Sequence, residues 1–168
     1  MSGQIKIISV GAAVQDVFLS HSDEFAPVSD KKAHEQFMKL DLGAKADVNN
    51  ITFSTGGGAT NGAVTFARQG LHAVFMGTIG HDPAGLAVID DLDKEGVDTT
   101  HISYNEKLST GYSVLLLAPN GERTILTYRG ASTHYNDKNF NLDGIEADWL
   151  YVSSMSGSYD VLDKLFTQ

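Results

Sequence analysis

The sequence contains no cysteine, which excludes a disulfide framework, a thiol nucleophile and a cysteine-based zinc site. Positive charge is scarce as well, because 12 Lys and Arg stand against 21 Asp and Glu, giving a formal net charge of −9. The electrostatic field of this negative charge repels nucleic acid and anionic membranes, so we expect neither as a partner. No apolar stretch approaches the about 20 residues of a membrane helix, and the first residues lack a signal-peptide layout. By elimination we expect a soluble cytoplasmic protein.

The chain does contain a regular alternation of strand and helix patterns. Residues 5–13 form a near-continuous β-branched apolar run, which is typical of a strand buried on both faces of a parallel sheet. A helix is predicted over 59–69, with Gly70 as its stop, and residues 72–80 predict the next buried strand. Strands and helices joined by short connections predict βαβ units, in which helices cover the sheet.

A second helix has clear signals at its start. Asp82 is predicted as its N-cap and Pro83 as its first residue. The helical period places Leu86, Ile89 and Leu92 on one face of this helix.

The end of the sequence predicts one more strand and helix. Residues 147–155 predict a buried strand that contains the single tryptophan, Trp149. The amphipathic helix that follows has an apolar face formed by Val161, Leu162, Leu165 and Phe166. Because a parallel strand needs a complete crossover connection, this pattern is typical of a truncated domain.

The stretches between these elements have a different pattern. Residues 21–42 are polar and mixed and predict a loop with a short helix around 31–40, whereas residues 45–54 predict one or two exposed strands. Residues 111–130 form two apolar strands around Pro119-Asn120-Gly121, which is a strong hairpin signal. A hairpin within a βαβ chain predicts a mixed sheet or a small accessory sheet.

Residues 52–64, TFSTGGGATNGAV, place three consecutive glycines at the start of the first predicted helix. A Walker loop needs a lysine after its last glycine, and alanine stands there instead. A dinucleotide loop needs a third glycine where Asn61 stands. No Lys or Arg occurs between positions 45 and 68, so no cation would face a phosphate. The Walker interpretation therefore fails, and the sequence gives only weak support to a dinucleotide site.

Uncharged groups in this loop suit a polyol better than a phosphate. The backbone amides and the Asn61 side chain could bind hydroxyl groups, and the alternative is a ligand-free turn capped by Thr60 or Asn61. Asp16 is the second candidate, because ligands of open α/β sheets bind beyond the carboxyl ends of the strands. Its carboxylate could accept hydrogen bonds from two neighbouring hydroxyls, whereas a lone loop or N-cap aspartate needs no ligand.

Together these residues resemble the first signature of the ribokinase-like carbohydrate kinases, also called the phosphofructokinase-B family. The matching segment reads GGGATNGAVTFARQGLHAVFMGTIGHDPAGLAVIDDLDKEGVDT, and the likeness covers nearly all of residues 4–157. The resemblance implies an α/β fold with a partial doubly wound, mostly parallel sheet flanked by helices and a small β lid sheet. Residues 1–168 would be the N-terminal part of this domain, with lid strands inserted at about 14–53 and 109–117 and the C-terminal nucleotide-binding half absent.

The resemblance also implies roles for particular residues. In this family an aspartate at the position of Asp16 binds sugar hydroxyls. The loop at Gly56, Gly57 and Gly58 contacts the sugar through its backbone, and Asn61 does so through its amide. The lid strands fold over the sugar and often pair two subunits, so we expect a homodimer formed through them. A closed lid excludes water, which competes with the sugar as phosphoryl acceptor.

Two departures from ribokinases proper bear on the substrate. Met155 stands where they carry a sugar-contacting glutamate, and Gly58 stands where they carry a lysine. Both departures argue against ribose as the substrate. Fructose, a keto-deoxy sugar acid and a nucleoside remain as possible substrates.

The family's second signature, Gly-Ala-Gly-Asp, is absent from the sequence. In the family it supplies the catalytic base and a helix N-terminus for the transferring phosphoryl group. The resemblance implies ATP and Mg²⁺, with a monovalent cation as a further candidate, for the complete enzyme. We expect none of them to bind this chain tightly, and we assign it no catalytic, nucleotide-binding or metal-binding residue.

The expected function is the sugar-binding half of an ATP-dependent carbohydrate kinase that is inactive alone. The enzyme would transfer the γ-phosphoryl group to a sugar hydroxyl. The alternatives are a nucleoside kinase of the same family and a non-catalytic module that binds a polyol or dimerises.

Overall fold

The computed structural model describes residues 4–30, 35–135, 146–153 and 155–167, and its architecture is mixed α/β. Its strands are β1 Lys6–Gly11, β2 Val14–Ser20, β3 Pro27–Asp30, β4 Glu35–Met38, β5 Asn50–Gly56, β6 His72–Met76, β7 Thr78–Gly80, β8 Ser103–Asn105, β9 Gly111–Leu117, β10 Arg123–Tyr128 and β11 Trp149–Ser153. Its α-helices are α1 Gly58–Arg68, α2 Pro83–Lys94 and α3 Tyr159–Thr167. None of the helices in these ranges is long and apolar enough to cross a membrane.

The chain forms two compact units. The described residues within 1–15, 54–112 and 128–168 make up the core unit, and those within 16–53 and 113–127 make up the strand unit. Where the structure describes the chain, the core unit holds three α-helices, whereas the regular structure of the strand unit consists of β-strands and one short 3₁₀ helix.

A parallel sheet with the strand order β11-β1-β6 lies within the core unit. Successive side chains of a strand point to opposite faces. Ile7 of β1 therefore packs in the cluster that contains residues of α1 and α2, whereas Ile8 and Val10 pack with residues of α3. Helices cover both faces of the sheet, as predicted for a mostly parallel sheet.

Two predicted helix boundaries are confirmed. Gly70 follows α1 with a φ of +82°, and its N–H donates to the carbonyl of Ala67 at 2.9 Å. Asp82 is the N-cap of α2, where its carboxylate accepts the N–H of Gly85 at 2.8 Å and Pro83 is the first helical residue.

The apolar faces predicted for two helices are buried only in part. Leu86 of α2 and Phe166 of α3 are exposed, at 66% and 75%. The large apolar residues that these helices bury are Val88, Leu92, Val161 and Leu165. A helical period places several residues at the margin of an apolar face, and only packing decides which of them is covered.

The predicted burial of the last strand is also wrong. β11 lies at one edge of its sheet and pairs, among the described strands, with β1 alone. Trp149 is therefore 67% exposed rather than part of the core. An apolar composition is typical of a buried strand, but it does not reveal whether another strand lies beside it.

Residues 72–80 form two strands instead of the single one predicted. β6 pairs with β1, whereas β7 pairs with β8 in a separate parallel ladder. Gly77 separates them, and a Cβ at this position would lie 2.5 Å from the carbonyl oxygen of Gly11. The strand is interrupted where two backbone segments approach closely.

The four-stranded sheet has the order β10-β9-β2-β5. The predicted hairpin around Pro119-Asn120-Gly121 is confirmed, because β9 and β10 are neighbours and the Gly121 N–H donates to the Ala118 carbonyl at 3.0 Å. The predicted short helix around 31–40 is wrong where the structure describes it. β4 pairs there with β3 and places Phe37 opposite Val28, and residues 31–34 lie outside the described residues.

Asp82 also links the start of α2 to the start of β9. Its carboxylate accepts the N–H and the hydroxyl of Thr110 at 2.8 and 2.7 Å, and that hydroxyl accepts the N–H of Gly80 at 2.9 Å. Thr110 is 1% exposed, so its N–H depends on this carboxylate. Burial raises the pKa of Asp82, but hydrogen bonds from Thr110, Gly85 and Ser109 outweigh it and hold the pKa below its ordinary value.

Replacing Asp82 by asparagine is expected to lower the free energy of unfolding by about 1 to 3 kcal/mol, because the amide nitrogen leaves a buried N–H donor unpaired. A lowered folded-state pKa stabilises the fold above the unfolded-state pKa, and this contribution is lost as pH falls through the folded value. The chain should therefore lose part of its stability below about pH 4, and the variant should lack that loss. Urea denaturation at pH 7 and pH 3 measures both effects.

The control for this substitution is Asp90→Asn on the same helix. Asp90 is exposed and pairs with Lys94, so we expect a change within about 0.5 kcal/mol. Equal destabilisation by the two substitutions would contradict the role assigned to Asp82.

Candidate functional site

The three glycines form the turn from β5 into α1. Gly56 ends β5 and is buried, Gly57 is the N-cap of α1, and Gly58 is its first residue. Gly57 has φ +114° and ψ 143°, close to a backbone region that is essentially restricted to glycine. A Cβ there would lie 2.2 Å from the carbonyl oxygen of Ala12, so the turn packs directly against the connection from β1 to β2.

The Thr60 hydroxyl does not cap α1. It donates to the carbonyl oxygens of Gly56 and Gly57 at 2.7 and 2.9 Å, instead of accepting from a first-turn N–H. A helix leaves its first four N–H groups without intrahelical partners, and Gly57 has no side chain to satisfy them. The start of α1 therefore presents backbone donors that suit the oxygen atoms of a ligand.

Asn61 lies in the first turn of α1 and is exposed. The buried face of this helix is formed instead by Ala59, Thr60 and Ala63. The Ser9 hydroxyl of β1 donates to the carbonyl of Ala59 at 2.6 Å, which fixes the start of the helix on the sheet. The structure thus brings Asn61 and the three glycines together on one rigid connection.

Asp16 lies in β2 and belongs to the strand unit, whereas the glycine turn belongs to the core unit. Its carboxylate is half-buried and accepts a hydrogen bond from the Ser113 hydroxyl of β9, the neighbouring strand. Burial raises the pKa of Asp16, and the hydrogen bond from Ser113 opposes that rise. Further hydroxyl donors would stabilise the ionised form of such a partly desolvated carboxylate, which is the condition for polyol recognition.

The sequence prediction did not include Ser113. This residue is 7% exposed in a strand that is otherwise almost wholly apolar, GYSVLLL. A polar side chain buried in such a run needs a hydrogen-bond partner, and that requirement is the sequence signal that could have identified it. The sequence does not reveal that the partner is Asp16.

A cavity elsewhere in the core unit involves none of the predicted site residues. Its volume is about 600 Å³, and it is lined by Gly80, His81, Asp82, Pro83, Leu86 and Tyr104. The rings of His81 and Tyr104 stack there with centroids 4.4 Å apart. Exposed Leu86 forms part of this wall, which accounts for its absence from the core.

Residues 26–167 match the pfkB family of carbohydrate kinases. The ribokinase of Haemophilus influenzae is 33% identical over 88 residues, which are 52% of this chain and 29% of that protein. The 5-dehydro-2-deoxygluconokinase of Clostridium botulinum is 34% identical over 100 residues, which are 59% of this chain and 28% of that protein.

A solved structure shows the same fold. An uncharacterized sugar kinase from Pyrococcus horikoshii in complex with ATP superposes with a TM-score of 0.72 and 25% identity, covering 96% of this chain and 48% of that chain. This likeness confirms the predicted fold class. The chain spans about half the length of that kinase, and its matches to the two curated relatives span less than a third of each of them.

Proposed function

Because the chain belongs to the pfkB family of carbohydrate kinases, we propose that it carries the sugar-binding half of an enzyme that phosphorylates a sugar hydroxyl. The observation that carries this proposal is the half-buried Asp16 carboxylate, which is oriented by Ser113 and has a raised pKa. Such a group gains more from hydroxyl donors than a fully hydrated carboxylate does, because water does not already saturate it.

The other proposed contacts have complementary chemistry. The Asp16 carboxylate would accept hydrogen bonds from two neighbouring hydroxyls of the sugar. The backbone of Gly56, Gly57 and Gly58 would contact the sugar closely, and the exposed Asn61 amide can both donate and accept. None of these groups is positively charged, so they suit the hydroxyl groups of a sugar better than a phosphate.

ATP would supply the phosphoryl group in the complete enzyme, and Mg²⁺ would neutralise the charge that develops on it. The described residues include no group of three or more His, Asp or Glu that could hold a metal ion. The sequence also lacks the Gly-Ala-Gly-Asp segment of the family. We propose that the catalytic base, the nucleotide, Mg²⁺ and any monovalent cation lie in the half of the relatives that this chain does not match. An ATP-dependent activity of this kind would belong in the cytoplasm.

The proposed substrate is a ketose such as fructose or a keto-deoxy sugar acid, rather than ribose. Met155 is 5% exposed and packs with Val161 and Leu165, so this position supplies no carboxylate to a sugar, unlike the corresponding position of ribokinases proper. Gly58 likewise replaces their lysine. The similarity to a 5-dehydro-2-deoxygluconokinase supports the keto-deoxy sugar acid.

Calorimetric titration of the chain with fructose, 5-dehydro-2-deoxygluconate, ribose and adenosine tests this proposal. We expect binding of one of the first two, and no sugar phosphate when MgATP is added, because the catalytic base is absent. Tightest binding of ribose would contradict the substrate assignment, and tightest binding of adenosine would favour the nucleoside kinase. Phosphorylation by this chain alone would contradict the proposal that it is half of the enzyme.

Exposed apolar residues in the strand unit support a second proposed function, which is dimerisation. Among the described residues of this unit, seven large apolar side chains are between 45% and 60% exposed: Val28, Phe37, Leu40, Ile51, Phe53, Ile125 and Leu126. Large exposed apolar surface is uncommon in a monomer and marks interaction sites. Sedimentation velocity over a range of concentrations measures this association, and a monomer at every concentration would contradict it.

A further inference from the structure

Asparagine followed directly by glycine occurs twice in the sequence, at Asn61-Gly62 and at Asn120-Gly121. This dipeptide is especially prone to spontaneous deamidation, in which the backbone nitrogen of the glycine attacks the neighbouring carboxamide. Glycine has no side chain to hinder that attack. The reaction also requires a backbone that can leave regular secondary structure, and the fold places the two sites in different surroundings.

The helix α1 protects the first site. Gly62 lies inside α1, where its N–H pairs with the carbonyl one turn earlier in the helix. A Cβ at Gly62 would lie 2.7 Å from Cε1 of the Tyr151 ring, so this backbone packs closely against β11. The Thr65 hydroxyl also donates to the carbonyl oxygen of Asn61 at 2.8 Å. Attack by the Gly62 nitrogen therefore requires the start of α1 to open, which slows the reaction strongly.

The second site lies at the tip of a hairpin. Asn120 and Gly121 are exposed and lie in the turn that connects β9 to β10. Gly121 has a φ of +88°, and a Cβ added there would meet no neighbouring atom of the described residues within 4 Å. The Gly121 N–H donates to the Ala118 carbonyl at 3.0 Å within the turn. Such a solvent-exposed turn opens at a low cost in free energy.

The side chain of Asn120 is held in position for the attack. The Glu122 N–H donates to Oδ1 of Asn120 at 3.1 Å, which brings the carboxamide alongside the intervening Gly121 nitrogen. The same hydrogen bond stabilises the negative charge that this oxygen acquires during the attack. Nδ2 of Asn120 donates to Oε1 of Gln36 at 3.4 Å, a long hydrogen bond that does little to oppose the departure of ammonia.

We propose that Asn120 is a site of spontaneous deamidation, whereas Asn61 is protected by its helix. The Gly121 nitrogen forms a bond to Cγ of Asn120, and the bond from Cγ to Nδ2 breaks. The proton lost by the Gly121 nitrogen leaves with Nδ2 as ammonia, and a cyclic imide remains. One water molecule then opens the imide at either of its carbonyl groups, which yields aspartate or isoaspartate.

Both products change the tip of the hairpin. Each adds a carboxylate near Glu122, in a chain whose formal net charge is already −9. Isoaspartate also adds a methylene carbon to the backbone of the turn, which is closed by the hydrogen bond from the Ala118 N–H to the Glu122 carbonyl at 2.9 Å. The inference is independent of the proposed function, because Asn120 is not among the residues proposed to bind sugar.

Peptide mapping by mass spectrometry tests the proposal. The chain is incubated without ligand at mildly alkaline pH and digested with trypsin at intervals. Cleavage after Lys and Arg places the two sites in separate peptides, 46–68 and 108–123, and fragmentation identifies the modified residue. We expect the acid form to accumulate at Asn120 at least about tenfold faster than at Asn61, because a helix opens far less often than an exposed turn. The product should be a mixture of aspartate and isoaspartate, which is the signature of an imide.

Two variants and one change of solvent provide the controls. Asn120→Gln keeps the carboxamide but requires closure of a larger ring, and Gly121→Ala adds a methyl group beside the attacking nitrogen. Each should slow deamidation at position 120 at least about tenfold, because both disturb the geometry of the attack. Circular dichroism verifies that both variants remain folded. In guanidinium chloride, where α1 is lost, the unaltered chain should deamidate at similar rates at both sites.

Several outcomes would overturn this inference. These are equal rates at Asn120 and Asn61 in the folded chain, aspartate without isoaspartate at Asn120, and an unchanged rate at position 120 in the Gly121→Ala variant. A preference for Asn120 of the same size in guanidinium chloride would overturn it too, because the fold would then not be the cause of the difference.

Discussion

Replacing Asp16 by asparagine is expected to weaken sugar binding by about ten- to a hundredfold, because a hydrogen bond to a charged acceptor contributes about 1.5 to 3 kcal/mol. The same substitution should leave the melting temperature unchanged or raise it. Burial raises the pKa of Asp16 in the folded chain. Folding therefore disfavours the ionised carboxylate, and stability decreases as pH rises through that raised pKa. A residue that destabilises the fold but binds a ligand is typical of a binding site.

Isothermal titration calorimetry with the sugar that the chain binds measures the change in affinity. Differential scanning calorimetry without sugar measures the change in melting temperature. The asparagine side chain can still accept the hydroxyl of Ser113, so the local geometry should persist. Above about pH 4 the melting temperature of the unaltered chain should decrease relative to that of the variant. Asp47→Asn, at an exposed residue of the same unit, is the control and should change neither quantity. Unchanged sugar affinity in Asp16→Asn would show that Asp16 is not a sugar ligand.

The helices of this fold could be predicted because neighbouring residues in the sequence determine where each helix begins and ends. Asp82 and Pro83 determine the start of α2 within two residues, and Gly70 ends α1 through its own backbone conformation. Each of these signals acts over a single helical turn and needs no distant partner. The hairpin at Asn120 and Gly121 follows the same logic, because turn chemistry alone brings its two strands together.

The strands that were predicted wrongly depend on pairing with another strand. β4 pairs with β3, and β7 separates from β6 because it pairs with β8. The exposure of Trp149 depends on whether a strand lies beside β11, which its own apolar sequence cannot reveal. The hydrophobic periodicity of a segment indicates which of its side chains could be buried. Its pairing with other strands decides whether they are buried.

The candidate site divides in the same way. The glycine turn and Asn61 are contiguous in sequence, so their shared location on the β5 to α1 connection could be predicted. The Ser113 hydroxyl that meets Asp16 comes from a strand far along the chain, so only the sheet order reveals it. The same holds for the contact between Gly57 and the Ala12 carbonyl, which leaves no space for a Cβ.

Replacing Gly57 by alanine is expected to lower the free energy of unfolding by about 3 to 5 kcal/mol, a large share of the stability of an ordinary domain. Two effects add at this position. The backbone, at φ +114° and ψ 143°, is close to a region of φ and ψ that residues other than glycine essentially never adopt. The new Cβ would also lie 2.2 Å from the Ala12 carbonyl oxygen and 2.8 Å from its carbon, so the backbone must move. Urea denaturation monitored by circular dichroism measures the loss.

Gly70→Ala is the control, because it separates conformational strain from the clash. Gly70 follows the same helix at its other end and also has a positive φ, +82°, but a Cβ added there would meet no neighbouring atom within 4 Å. Its substitution should therefore decrease stability by only about 1 to 2 kcal/mol, the left-handed conformational penalty of an L-residue. If both substitutions decreased stability equally, the close contact with Ala12 would contribute nothing, and the glycine would be required for its backbone conformation alone. A larger loss in Gly57→Ala, accompanied by weaker sugar binding at temperatures where the variant remains folded, would tie the packing of the turn to the position of its donors.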